Sequence, residues 1–187
     1  MVLSKNRDVL DRVRNMRSHG MTHSTLDRFR GQAFSYDVVS LGFNYRMDEL
    51  RAALGLVQVE KLMNWNNKRR ELAALYRKEI RELELKINIP FPSLHKTSAH
   101  IMPLILPENA DRARIMSFLQ KHGIQSSIHY PPAHKLSFYK KRFPNVSLSC
   151  TEEFGKRELS LPLHPGMRTE DVEYVVKFLG QAINLDV

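Results

Sequence analysis

Two short stretches of this 187-residue chain set chemically capable side chains on a backbone stiff enough to hold them. The first is His129-Tyr130-Pro131-Pro132-Ala133-His134. Proline fixes its own φ and biases the preceding residue toward an extended shape. Pro131-Pro132 therefore gives the strand predicted before it a rigid exit and fixes His129 and Tyr130 at that exit. Imidazole and phenol groups held this way suit contacts to hydroxyls or phosphates. Zinc is the rival ligand, but two histidines five residues apart with no cysteine or acid nearby make a poor zinc site. For His134 a structural role, bonded to backbone, competes with ligand contact. The second stretch is Asn44-Tyr45-Arg46. Asn44 stands just ahead of a predicted helix, where unpaired N–H groups and the helix dipole favour an anion; its other reading is that it shapes the turn into that helix. Arg46 can grip a phosphate or carboxylate through two parallel hydrogen bonds, or pair with an acid of the same chain. Tyr45 suits an interface, ring packed and hydroxyl satisfied. His164, close to Pro162 and Pro165, reads as turn architecture, and Cys150 has no basic neighbourhood that would mark a reactive thiol.

The elements that must position these residues follow from periodicity. Asp48 is a good N-cap, and from there to about Leu83 there is no proline and a single glycine, Gly55. Apolar residues at 50, 53, 54, 57, 62, 65, 72, 73, 76, 80 and 83 predict one helical stripe. At about 1.5 Å per residue such a helix exceeds about 50 Å, a length that joins two domains or two subunits. A kink is expected near Asn64–Asn67, where Trp65 sits among residues of poor helix propensity, and Lys68-Arg69-Arg70 reads as a solvated face. Ahead of this helix come a strand stub at Val2-Leu3, a helix capped by Asn6 and ended by Gly20, and a loop over 21–41. Beyond it, 87–90 and 100–106 read as strands, 110–122 as a helix stopped by Gly123, and 124–130 as a strand. A helix over 151–157, an extended 159–163 and a last helix capped by Thr169 and running through Ile183 complete the chain. Such alternation predicts an α/β domain.

Composition narrows the class. The chain is 42% apolar and 26% charged, ordinary for a globular protein. No apolar run approaches the ~20 residues needed to span a membrane, so no membrane partner is expected. One cysteine and an N-terminus that turns charged at once point to the cytosol. The net charge of +9 is spread along the chain. It favours anions in general, and no nucleic-acid-binding motif accompanies it.

Three segments, in this order and spacing, resemble the DegT/StrS sugar aminotransferases, which depend on pyridoxal phosphate. They are Gly42-Phe43-Asn44-Tyr45-Arg46-Met47-Asp48-Glu49-Leu50, then Gly123 through His134, then Leu159-Ser160-Leu161-Pro162-Leu163-His164-Pro165-Gly166-Met167. The resemblance implies the C-terminal small domain of the type I aminotransferase fold. Residues 1–41 would be a remnant of the large cofactor domain, 42–86 a long connecting and dimer helix, and 87–187 the small α/β domain. It implies a homodimer, a keto-sugar nucleotide as amino acceptor and glutamate as donor. It assigns Asn44 to the cofactor phosphate across the dimer, and Tyr45, Arg46, His129, Tyr130 and His134 to the substrate. The Schiff-base lysine, whose neutral amine attacks and then shuttles the proton, matches no lysine of this chain and is expected ahead of residue 1. A non-catalytic, dimerising module derived from the family is the alternative reading.

Overall fold

The computed structural model describes residues 2–23, 29–31, 35–91 and 97–185. Two compact units make up the chain, Met1–Glu60 and Lys61–Val187.

In the first unit, α1 (Arg7–Met16) is capped by Asn6, whose side chain accepts from the Asp8 N–H at 2.8 Å. Val2 and Leu3 form no strand; both are exposed, and α1 buries no residue. After α1 the backbone turns through His19 and Gly20, both with positive φ. The strand-like segment 42–45 then lies antiparallel to 17–20. His19 N–H donates to the Phe43 carbonyl at 3.0 Å and Tyr45 N–H to that of Arg17 at 2.9 Å. The approach is so close that a Cβ on Gly42 would sit 2.0 Å from the Gly20 nitrogen, and one on Gly20 1.9 Å from the Ser40 oxygen. Of the expected 21–41 loop, residues 24–28 and 32–34 lie outside the described residues; among the others Phe29 is helical and Met21 and Val38 form a bridge.

Helix α2 (Glu49–Glu82) is capped by Asp48, which accepts from Arg51 N–H at 2.9 Å. It runs unbroken through the expected kink. There Asn66 and Asn67 accept from the guanidinium groups of Arg69 and Arg70, which are half-buried rather than solvated. Its buried residues are Leu72, Ala73, Tyr76 and Ile80, all in its second half. Toward its start Leu50, Leu54, Leu56, Val57, Leu62 and Met63 are exposed.

In the second unit, β1 (Met102–Ile105) and β2 (Glu158–Leu161) pair antiparallel, with Met102 opposite Leu161 and Ile105 opposite Glu158. Asn88 bridges the outer side of β1 and Ser127 the outer side of β2. The strands expected at 87–90 and 124–130 thus contribute one bridge each. Pro90 has no N–H to offer a ladder, and the N–H of His129 goes to a side chain instead, as described below. Helices α3 (Arg112–Lys121), α4 (Ser137–Arg142), α5 (Ser149–Arg157) and α6 (Thr169–Asn184) complete the unit. Asp111 caps α3 by accepting from Ala113 and Arg114. Thr169 is the first residue of α6 rather than its cap; the capping position is Arg168, whose N–H is held by Asp171 at 2.8 Å.

The core joins the second half of α2, both strands, Ile115 and Leu119 of α3, and Val172, Val175, Val176 and Leu179 of α6. Each such side chain contributes about 1.5–3 kcal/mol on burial. Tyr76 is fully buried yet satisfied, donating to the Pro162 carbonyl at 2.9 Å. Burial, seconded by the charge of Asp171, pushes its phenol pKa upward.

Candidate functional site

Asn44 lies four residues ahead of Asp48, bridged to Ser18, and does not cap α2. Its side-chain oxygen accepts from Arg46 Nε at 3.1 Å, and Arg46 Nη2 stands 3.4 Å from His19 Nε2. The Phe43 and Tyr45 rings stack at 5.1 Å, with Tyr45 74% exposed. The first unit thus brings together a carboxamide, a guanidinium and an imidazole on exposed backbone fixed by pairing with 17–20. Such a set can grip a phosphate or carboxylate. His19 is a member that the sequence reading did not single out.

In the second unit the His129–Tyr130 turn is clasped from three sides. Glu158, fully buried in β2, accepts the backbone N–H of His129 through Oε2 and the Ser160 hydroxyl through Oε1, both at 2.7 Å. Gly155 of α5 lies so close under Pro132 that a Cβ would stand 2.6 Å from its Cδ. Glu152 completes the clasp. Its Oε1 lies 2.9 Å from His134 Nε2 and its Oε2 2.6 Å from Lys135 Nζ, and Leu148 N–H donates to it as well. Lys135 first, then His134 and the Leu148 N–H, lower the Glu152 pKa to about 2. The His134 side chain is 9% exposed, so its partner is a carboxylate, and the backbone acceptor expected for a structural histidine is not what holds it. The peptide between His129 and Tyr130 is cis. From this frame Tyr130 projects into solvent at 73% exposure, while the His129 ring sits edge-on to it with Nδ1 3.4 Å from the Ser127 hydroxyl.

The His129 ring faces a cleft of about 560 Å³, lined also by His100, Gln125, Ser126, Ser127, His164, Asp171 and Tyr174. His164 holds a turn through its carbonyl, which accepts from Met167 N–H at 3.1 Å, and lines the cleft as well. Sequence spacing had no way to show that His100, His129 and His164 line the same cleft. Among the described residues no group of three or more histidine, cysteine or acidic side chains could hold a metal ion. Cys150 is exposed. Hydroxyl, amide and imidazole groups over an apolar floor suit a polyhydroxylated ligand bound by hydrogen bonds.

The chain matches the DegT/DnrJ/EryC1/StrS aminotransferase family over residues 1–180. It belongs to that family. A UDP-4-amino-4,6-dideoxy-N-acetyl-beta-L-altrosamine transaminase of Campylobacter jejuni is 34% identical over 176 residues, spanning 93% of this chain and 45% of the relative. Among solved structures, Helicobacter pylori PseC, an aminotransferase involved in pseudoaminic acid biosynthesis, superposes with a TM-score of 0.86 at 26% identity, covering 97% of this chain and 48% of PseC. NtdA of Bacillus subtilis, with bound cofactor PMP, gives 0.80 at 28% identity, covering 97% of this chain and 41% of NtdA. The chain therefore spans just under half the length of these relatives. Pyridoxal phosphate is the cofactor of this aminotransferase family. Asn44, Arg46 and His19 have the chemistry to hold a phosphate such as the one this cofactor carries. Among the described residues no helix is long and apolar enough to cross a membrane.

Proposed function

We propose that this chain is the C-terminal part of a pyridoxal-phosphate-dependent aminotransferase that transfers an amino group from glutamate to a keto-sugar nucleotide in amino-sugar biosynthesis. The observation that carries the reading is the clasped His129–Tyr130 turn at the edge of a polar cleft, in a chain 34% identical to a transaminase named for a UDP-amino sugar. In this reading residues 1–41 are a remnant of the large domain, 42–86 the connecting and dimer helix, and 87–187 the small domain. The protein works in the cytoplasm as a homodimer. Asn44, with Arg46 beside it, contacts the cofactor phosphate, and Tyr45 lies at the interface. His129 and Tyr130 meet the substrate. His134, its ring occupied by Glu152, positions that turn rather than touching ligand.

Each residue's part is modest and physical. The Arg46 guanidinium neutralises an anion, Tyr130 offers an exposed phenol, and His129 presents an imidazole whose backbone is pinned. The bound cofactor would supply the electron sink, on a lysine outside this chain. By itself the 187-residue chain, mixed with pyridoxal phosphate, should give no adduct that borohydride fixes on one specific lysine; a stoichiometric adduct would reject that part of the reading. A nucleotide-sugar titration of the histidine-labelled chain tests the cleft. Resonances of His129 and its cleft neighbours should shift, and His129→Ala should weaken the response. Unshifted imidazoles at millimolar UDP-sugar would overturn the substrate assignment. If instead the chain binds no sugar but pairs tightly with a full-length relative, the dimerising module is the better description.

A further inference from the structure

Between the His134 turn and α5 the chain turns its apolar side chains outward. Leu136, Phe138, Tyr139, Phe143, Val146 and Leu148 are all between 44% and 69% exposed. Helix α4, within this segment, buries nothing. The same stretch, 136–148, carries Lys140, Lys141 and Arg142 and no acid. The carboxylates that follow on α5 are engaged elsewhere, Glu152 by His134 and Lys135 and Glu153 by Lys156 and Arg157. Phe138 and Tyr139 meet edge to face at 5.3 Å, and the Arg142 guanidinium stands 5.9 Å from the Phe143 ring centre. Aromatic, aliphatic and cationic groups are therefore interleaved on one exposed segment.

We propose that residues 136–148 are a peripheral docking surface for an anionic lipid bilayer. The chemistry separates this occupant from its rivals. A second copy seated face to face would set Lys140, Lys141 and Arg142 against the same three cations. A nucleic acid would use the cations and the rings but would leave Leu136, Val146 and Leu148 without a partner. The headgroup boundary of a bilayer takes all three classes at once: rings and aliphatic groups sink to acyl depth while long cationic side chains stay at the phosphates. The lack of an apolar spanning segment bears on crossing a bilayer, and lying on one needs no such segment. The docking surface itself stands whether or not the aminotransferase reading does.

Near an anionic surface each lysine or arginine raises affinity about fivefold, so the three cations together contribute roughly a hundredfold. Each ring that enters the boundary adds about tenfold or more. The test is co-sedimentation of the chain with phosphatidylcholine vesicles, with and without phosphatidylglycerol, at about 0.1 M salt, where charges farther apart than about 10 Å are screened. The chain should pellet with phosphatidylglycerol vesicles and not with pure phosphatidylcholine. A Lys140→Glu/Lys141→Glu/Arg142→Glu variant should lose at least tenfold, and Phe138→Ser/Phe143→Ser a comparable amount, with unchanged circular dichroism because none of these residues is in the core. No binding, equal binding to both vesicles, or binding that both variants retain would overturn the proposal. So would light scattering in which the same variants convert a dimer to a monomer without affecting vesicle binding. Vesicle binding that is absent while an RNA oligonucleotide binds the parent and is weakened by both variants would also reject it, in favour of a nucleic acid.

Discussion

Substituting alanine at Gly155 isolates the packing that holds the His129–Tyr130 turn. A glycine-to-alanine change within a helix normally stabilises by about 0.8–1.0 kcal/mol, because glycine has more backbone freedom to lose. At Gly155 the new Cβ would stand 2.6 Å from Pro132 Cδ and 2.7 Å from its Cγ. Proline is a rigid ring and cannot rotate aside. Either α5 or the Pro131–Pro132 turn must then move, and overpacking of this kind costs about 1–3 kcal/mol. Gly55 in α2 supplies the control, since a Cβ there meets nothing within 4 Å. Gly55→Ala should gain the full propensity term, and Gly155→Ala should lag behind it by about 1–3 kcal/mol. For a chain of this size each kcal/mol is worth about 2–4 °C of melting temperature, so the two variants should differ by roughly 2–12 °C in parallel thermal scans. A proton spectrum supplies the second readout. His129 and His134 resonances should shift in Gly155→Ala and stay in place in Gly55→Ala. Equal melting shifts would refute the close approach of α5 to the turn.

Three other measurements follow from the same structure. Tyr76→Phe leaves the Pro162 carbonyl without its donor inside the core and should cost about 1–3 kcal/mol in urea unfolding, with little change in slope. The Glu152 carboxyl is lowered from its ordinary 4.5 to about 2, so its stabilising contribution is complete above 4.5 and is lost as pH falls from there through about 2; Glu152→Gln should flatten that part of the melting temperature profile, and an unchanged profile would separate the clasp from acid stability. The exposed apolar residues Leu50, Leu54, Val57 and Leu62 of α2 should draw two copies together. Light scattering should then give at least twice 21.8 kDa, Leu54→Glu/Leu62→Glu should yield monomer, and a stable monomeric parent at micromolar concentration would count against the homodimer.

How far the sequence could be read depended on the range of the interactions. All the described helices but α4 were legible because their information is local; α4, six residues with no side-chain cap, was not anticipated. Asn6, Asp48 and Asp111 sit at the starts of α1, α2 and α3, and Gly20 and Gly123 turn with positive φ where the chain leaves α1 and α3. The family motif around Asn44 and His129 was legible for the same reason. The partners were not. Glu158 and Ser160 alternate with Leu159 and Leu161, a pattern that places polar residues on a solvent face. Yet all four residues of β2 are buried, Glu158 and Ser160 with their polar groups satisfied by the His129 N–H and by each other. Nor does any spacing rule link Glu152 to His134, eighteen residues away. A buried acid next to a small hydroxyl residue in a short strand is the one clue the sequence held, and it becomes readable only when the donor that the acid serves is known.

That donor explains why the 124–130 segment stops pairing where it does. A backbone N–H denied a ladder partner must find another acceptor or cost free energy. His129 finds Glu158, which has already used its second oxygen on Ser160. The carboxylate thus ends the sheet and starts the turn in one group. Gly155 fixes the height of the turn through Pro132, and Glu152 fixes its far end through His134 and Lys135. These restraints act on different atoms and none belongs to the apolar core of α2, α3 and α6. Weakening one should therefore shift His129 and Tyr130 while leaving the apolar core in place, so that ligand contact at the cleft can be altered without repacking that core.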